Sequence, residues 1–295
     1  MNSLNDDIGQ HAEPRPHDGG GENDVRILRR IAPLDEWPIT NAIGGEGPVL
    51  AVLDTETEGL DPESDAVIEI AVALVQTDGE GRILKILGKG YGLQDPGRPL
   101  PANISKLTGL SAVKLEGKAI DADKLTTFIS RADAVLAHGA KFDAGFVRRL
   151  LPGIAHLPWI CTLQDVDWLE HGFDGRALGH LLMQQGLFAP RAHNAGDDVT
   201  ALINLAATCL PNGNTVLAEA LAKAQEETIR VDAEGDTYGA RSELKRRGYR
   251  FDWSRKVWSI EVSAFQSDYE ESCISRHFPR VRVSKTPVTW HERHC

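Results

Sequence analysis

Four carboxylates and one imidazole stand out in this 295-residue chain: Asp54 and Glu56 in LDTETEGL, Asp143 in AHGAKFD, and His193 with Asp198 in RAHNAGDD. Hard divalent cations take oxygen ligands, and a pair of them bound side by side is one way to hydrolyse a phosphodiester. Four acids converging beside a histidine would supply the ligands and a general base together. Asp54 and Glu56 are two apart at the end of an apolar run, and the two-residue period of a strand puts both on one face. Asp143 follows the apolar run AVLAH and opens a helix, where the N-terminal dipole favours a carboxylate. His193 and Asp198 straddle the start of another helix, with Ala195 and Gly196 leaving room for close approach. Taken singly, these residues also have ordinary readings: a turn acid, a helix cap, a packed histidine.

The elements that must position them follow from the hydrophobic pattern. VLAVLD, AVIEIAVALVQT and RILKILGKGYGL read as three strands of an antiparallel meander, punctuated by Gly, Asp and Pro. Helical segments follow in ANISKLTGL and DADKLTTFISRA, then a short buried strand AVLAH and a helix over 141–151. Further helices are expected over 163–170, 177–185 and 196–209. A mixed sheet flanked by helices is an α/β domain. Residues 1–47 form a tail and lead-in, of which 1–30, rich in Gly, Pro, Asn and Asp, are expected to be disordered. The α/β domain covers 48–210, and 211–235 read as a linker. Residues 236–295 have the order αββαβ of a small α+β module. Ser263 and Gln266 make a capping box there, and Pro287 places the last strand at an edge.

The net charge of −11 argues at first against a nucleic-acid binder. Its distribution weakens that objection. Residues 31–235 hold 16 basic and 29 acidic side chains, a balance of −13, and residues 236–295 hold 12 basic and 8 acidic, a balance of +4. The acidic part contains the candidate metal ligands, where bound cations would reverse the local field. No membrane span or signal peptide is evident, so a cytoplasmic protein is expected. Cys161, Cys209, Cys273 and Cys295 form no CxxC pair and read as ordinary thiols.

Taken together and in order, DTETEGL, HGAKFD and HNAGDD resemble the motifs of the DEDD exonucleases of the RNase H-like fold, in the branch whose last motif carries histidine. The likeness is greatest to the epsilon proofreading subunit of bacterial DNA polymerase III and its stand-alone relatives. Ile104, Leu107, Thr108, Gly109 and Leu110 resemble that family's I-x-x-L-T-G-L segment, and Arg191 precedes His193 as in its R-x-H-x-A-x-x-D form. The resemblance implies 3′ to 5′ hydrolysis of DNA, at single-stranded 3′ ends, to nucleoside 5′-monophosphates. It implies that Asp54, Glu56, Asp143 and Asp198 hold two Mg²⁺ or Mn²⁺ ions and that His193 takes the proton from the attacking water. Thr55, Thr57, Leu60 and Phe142 would lie near the terminal nucleotide, with Leu60 and Phe142 on its base. The partner is a nucleic acid, with a DNA polymerase subunit as a second partner left open. Two rivals remain: an exoribonuclease of the oligoribonuclease or RNase T kind, and a non-catalytic nucleic-acid-binding replisome adaptor.

Two positions depart from the family pattern. Glu58 stands where a threonine is common and is expected to point to solvent; Gly139 replaces a common asparagine. In the C-terminal module, LKRRGYRFDWSRKVW mixes basic and aromatic residues as single-strand binders do, and equally as a small core with a wet face would. Gln184-Gln185-Gly186-Leu187-Phe188 resembles a sliding-clamp-binding pentapeptide, but its place at a helix end assigns it to core packing.

Overall fold

The computed structural model describes residues 25–294. Residues 1–24, expected to be disordered, lie outside the described residues. The next stretch is ordered into β1 (Arg29–Arg30) rather than continuing the tail. The chain then runs through β2 (Glu46–Thr57), β3 (Val67–Asp78) and β4 (Ile83–Leu93), followed by α1 (Ala102–Thr108), α2 (Ala112–Leu115) and α3 (Ala122–Ile129). Next come β5 (Ala134–Ala137), α4 (Ala140–Leu150), β6 (Trp159–Cys161), α5 (Leu178–Gln184), β7 (Leu187–Phe188), α6 (Ala195–Ala206) and α7 (Val216–Gln225).

The central sheet has the order β4-β3-β2-β5-β6. β2, β3 and β4 form the expected antiparallel meander, and β5 and β6 continue the sheet in parallel. One face is apolar: Ala51, Leu53, Ile70, Val72 and Leu74 pack with Leu125 and Ile129 of α3 and with Phe146 and Val147 of α4. Each fully buried aliphatic side chain there contributes about 1.5–3 kcal/mol relative to exposure. Gly90 of β4 is what lets α3 approach, since a Cβ there would lie 2.9 Å from Val72 Cγ1 and 3.0 Å from Leu125 Cδ2. α6 packs against β2 and β3. β1 pairs in parallel with β7, so the pentapeptide Gln184–Phe188 ends one helix and supplies a strand; Phe188 is exposed, and strand pairing rather than the expected core packing holds the segment.

The helix expected over 163–170 does not form. Side-chain to backbone hydrogen bonds replace it: Asp165 accepts from the Cys161 N–H at 2.7 Å, and Trp168 Nε1 donates to the Thr162 carbonyl at 2.7 Å. Local polar bonds of this kind compete with the helical ladder.

A second compact unit spans Gln225–Arg293. It contains β8 (Thr228–Gly235), α8 (Arg241–Arg246), β9 (Arg250–Asp252), β10 (Val257–Val262), α9 (Ala264–His277) and β11 (Val281–Val288). The structure thus differs from the expected 211–235 linker, because α7 and β8 occupy that stretch. The unit's order is βαββαβ rather than αββαβ. Its sheet runs β11-β8-β10-β9, with antiparallel neighbours throughout. This is the ferredoxin-like split βαβ arrangement. Ile229, Val231 and Ala233 of β8 alternate onto a core shared with Leu244, Tyr249, Trp258 and Ile274. The Ser263–Gln266 capping box is present, and Pro287 lies on the edge strand β11. Among the described residues no helix is long and apolar enough to cross a membrane, and Cys161, Cys209 and Cys273 are free thiols.

Candidate active site

The site forms where the strand end of β2 meets the starts of α4 and α6. The pairing of Asp54 with Ala71 and of Glu56 with Glu69 places the two β2 acids on one face of the sheet. Asp198, in the first turn of α6, closes the group: Asp54, Glu56 and Asp198 each offer a carboxylate oxygen within 4.8 Å of the others. Asp143 comes from the first turn of α4, where it is buried and anchored. Its Oδ1 accepts from the Thr55 N–H at 3.1 Å and from the Thr55 hydroxyl at 2.8 Å. Asp143 therefore stands beside the trio rather than within it, and its negative charge still acts on Asp54.

Burial and mutual repulsion hold these acids above the usual carboxylate range. Desolvation comes first at every one of them. Glu56 is pushed up to about 8 by desolvation and then by Asp198, Glu69 and Asp143. Desolvation raises Asp143 to about 7 against the hydrogen bonds from Thr55. Asp54 is raised by burial and by the charges of Asp143, Asp198, Glu56 and Glu69, and Asp198 rises by burial. No basic side chain is among the groups acting on Asp54 or Glu56. Like charges gathered with no protein counter-ion at Asp54 or Glu56 fit a cation site, so the donor set suits divalent metal ions.

His193 is exposed on the loop leading into α6, with its backbone in the left-handed region at φ 60°. Its N–H donates to Asp198 Oδ2 at 2.8 Å, which ties the imidazole-bearing loop to a metal-ligand candidate. The next residue, Asn194, caps α6 by accepting from the Asp197 N–H. Arg191 pairs with Asp197 at 2.9 Å.

Of the residues expected near a terminal nucleotide, Thr55 and Thr57 are buried and engaged: Thr55 holds Asp143, and the Thr57 hydroxyl donates to the Gly59 carbonyl at 2.5 Å. Leu60 is 83% exposed. Phe142 is partly buried against the core, with its ring 5.0 Å from that of Phe146. Glu58 overturns its solvent-facing expectation. It is buried, and its carboxylate accepts from Arg98 Nε at 2.8 Å, from Arg98 Nη2 at 2.6 Å and from the Ala66 N–H at 2.9 Å. An arginine forty positions away in sequence gives no local sign of that pairing. Gly139 caps α4 with φ 112°. That backbone favours glycine, and asparagine enters the left-handed region more readily than most residues, which accounts for the departure at this position.

Sequence reasoning missed Glu69. It is fully buried on β3 and accepts from the Tyr91 hydroxyl at 2.6 Å, from Asn194 Nδ2 at 2.7 Å and from the Ala195 N–H at 3.2 Å. Glu69 thus holds the start of α6, and with it the residues on either side of that start, His193 and Asp198. The available signal was an acid in the middle of the apolar run AVIEIAVALV, because carboxylates are rarely fully buried without a partner.

A model of the exonuclease family matches residues 51–206, which include every acid of the site and His193. The chain belongs to the exonuclease family. Among curated relatives, the PolC-type DNA polymerase III of Thermotoga petrophila is 31% identical over 54% of this chain and 12% of its own length. The DNA polymerase III subunit epsilon of Treponema pallidum is 26% identical over 63% of this chain and 87% of its own. The chain therefore spans only a small part of the PolC-type relatives it matches. Among solved structures, exonuclease I of E. coli in complex with a dA16 oligonucleotide aligns with a TM-score of 0.53 over 79% of this chain and 72% of its own, at 14% identity, a likeness of fold.

Proposed function

We propose that the chain is a two-metal-ion 3′ to 5′ exonuclease that removes nucleoside 5′-monophosphates from single-stranded DNA ends, in repair, trimming or proofreading in the cytoplasm. The observation that carries this reading is the convergence of Asp54, Glu56 and Asp198 within 4.8 Å, on a domain that belongs to the exonuclease family. Two divalent cations held by Asp54, Glu56, Asp143 and Asp198 would neutralise the acids, polarise the phosphodiester and acidify water.

The chain's own residues do the rest. His193, on an exposed loop, takes the proton from the attacking water. Asp198 fixes the loop through the His193 N–H. Thr55 keeps Asp143 in place, and Glu69 keeps the start of α6 in place. Leu60, exposed where β2 gives way to a turn, offers the terminal base an apolar surface. The names of the polymerase III relatives add a polymerase subunit as a partner to look for.

The test is digestion of 3′-labelled single-stranded, duplex and mismatched-end DNA beside matched RNA, with Mg²⁺ or Mn²⁺. Mononucleotide release from DNA 3′ ends is expected, slowed about 10²- to 10⁴-fold by His193→Gln with metal binding retained. Faster release from RNA would make the enzyme an exoribonuclease. Absence of release with either metal would sink the enzymatic reading.

A further inference from the structure

The smaller unit handles its charges and rings differently at two places. On the sheet face opposite its helices, the central strands β8 and β10 present Arg230, Asp232, Glu234, Ser259 and Glu261. No ring is among them, acids predominate, and Asp232 pairs with Arg255 at 2.6 Å. That face gives a nucleic-acid strand nothing to stack on.

The hairpin between β9 and β10 is the contrary case. Trp253 at its tip is 82% exposed. Its ring stands edge-on to Phe251, with centroids 4.8 Å apart, and Phe251 stands against the buried Trp258 at 5.5 Å. The exposed indole is thus braced on the core rather than loose. Asp252 fixes the turn by accepting from the Ser254 N–H at 3.0 Å and the Arg255 N–H at 3.1 Å.

The register brings a second ring to the same end of the sheet. Trp258, just after the tip, pairs with Ala233, and β8 ends two residues later at Gly235. Tyr238 follows, 81% exposed, with the Arg241 guanidinium 5.7 Å from its ring centroid. Arg241 and Lys256 are exposed, and among the described residues neither is in an ion pair. The acids nearby are already matched, Asp236 with Arg280 and Glu234 with Arg282. What remains at this end is two exposed rings and uncommitted positive charge.

We infer that this end of the smaller unit holds single-stranded nucleic acid, with Trp253 and Tyr238 stacking on bases and Arg241 and Lys256 meeting phosphates. The inference rests on the proposed exonuclease reading, and it gives the substrate strand a second hold outside the active site. Stacking and charge neutralisation make separate marks on binding, so both can be read.

Anisotropy of a labelled oligothymidylate of about 25 nucleotides, measured on the full chain in EDTA so that nothing is digested, tests it. Trp253→Ala and Tyr238→Ala should each weaken binding about tenfold. The double Arg241→Ala/Lys256→Ala variant should lower the slope of log Kd against log salt by about 1.4. Phe265→Ala, which removes an equally exposed ring from the start of α9, should change nothing. Far-ultraviolet circular dichroism checks that the variants fold. Affinity within twofold of the parent for the Trp253 and Tyr238 variants would overturn the inference, and would turn the patch toward an acidic protein partner. Mononucleotide release by the parent and the variants, measured beside long-strand binding, separates the two ideas. Release with unaltered long-strand binding in the variants sinks only the second hold. Neither release nor binding by the parent sinks both.

Discussion

In the larger unit Asp54, Glu56, Asp143 and Asp198 come together, and desolvation holds all four above the ordinary carboxylate range, with repulsion from the group added at Asp54 and Glu56. In the smaller unit the acids are answered. Glu270 takes two hydrogen bonds from Arg247, at 2.7 Å and 2.6 Å. Asp252 lies well below its usual value because the Ser254 hydroxyl and then Arg255 hydrogen-bond to it. Both units hold carboxylates in fixed positions; what differs is whether the chain supplies the opposing charge. Where it does, the acid is part of the scaffold. Where it withholds it, the fold accepts a local cost that a bound cation can remove.

Asp54→Asn tests that contrast most severely. It removes one charge from the repelling group and one proposed metal ligand, so function and stability should move in opposite directions. Nucleotide release is expected to fall on the order of a thousandfold, the scale of several kcal/mol of lost metal-dependent stabilisation. The metal-free protein should melt higher than the parent. A lower melting temperature would mean that the Asp54 carboxylate stabilises the fold, and the contrast between the two units would fail.

The pH dependence of the metal-free protein probes the same repulsion without a mutation. Glu56 is raised to about 8 and Asp143 to about 7, whereas the unfolded chain titrates near 4. Between those limits the native state binds more protons than the unfolded state, so stability must fall as pH rises. Melting temperature should therefore be higher near pH 5 than near pH 8, and Mn²⁺ or Mg²⁺ should remove most of the difference. At a hundred times its dissociation constant the metal should add about 2.7 kcal/mol near pH 8. Calorimetry at the two pH values, with and without metal, reads this directly; a rise in metal-free stability with pH would break the argument.

The contrast also explains what could be read from the sequence. Asp54 and Glu56 were legible because a two-residue period on an apolar strand puts both side chains on one face, and Asp143 and Asp198 because helix starts favour acids. The meander and the helices α4, α5 and α6 were legible because their apolar periods are long. β8 was not. Its alternation Ile229, Val231, Ala233 is short and runs into Asp-Ala-Glu-Gly-Asp, which locally reads as a linker, and its strand character comes from β10 and β11 on either side. The segment over 163–170 failed for the opposite reason: its apolar spacing suits a helix, but the Trp168 indole takes the Thr162 carbonyl that the first helical turn would use, and Asp165 turns back to the Cys161 N–H. Glu69 and Glu58 depend on partners distant in sequence, respectively Asn194 and Arg98; the apolar run around Glu69 marks it as an acid in need of a partner, but local pattern names neither partner.

Glu58 supplies the smallest effect and the cleanest counterexample, because it lies on the same chain segment as Asp54 and Glu56 yet is treated like an acid of the smaller unit. Arg98 holds its carboxyl below the usual value, chiefly through their hydrogen bonds. A lowered acid contributes stability above the unfolded carboxylate value and loses it as pH falls through the folded one, the reverse of Glu56. Glu58→Gln keeps the shape and gives up the charge. It should cost about 1 kcal/mol at neutral pH, the strength of a charged hydrogen bond discounted for the half-exposed arginine, and that cost should shrink as the parent carboxyl is protonated in acid. Urea melts of parent and variant at pH 7 and about pH 3 would show it. Nucleotide release should stay close to the parent's, since Glu58 faces Arg98 and the Ala66 N–H rather than the metal-ligand group. If Glu58→Gln instead destabilises equally at both pH values, the residue is held by shape and not by charge. The line between supplied and withheld counter-ions would then have to be drawn elsewhere than between Glu56 and Glu58.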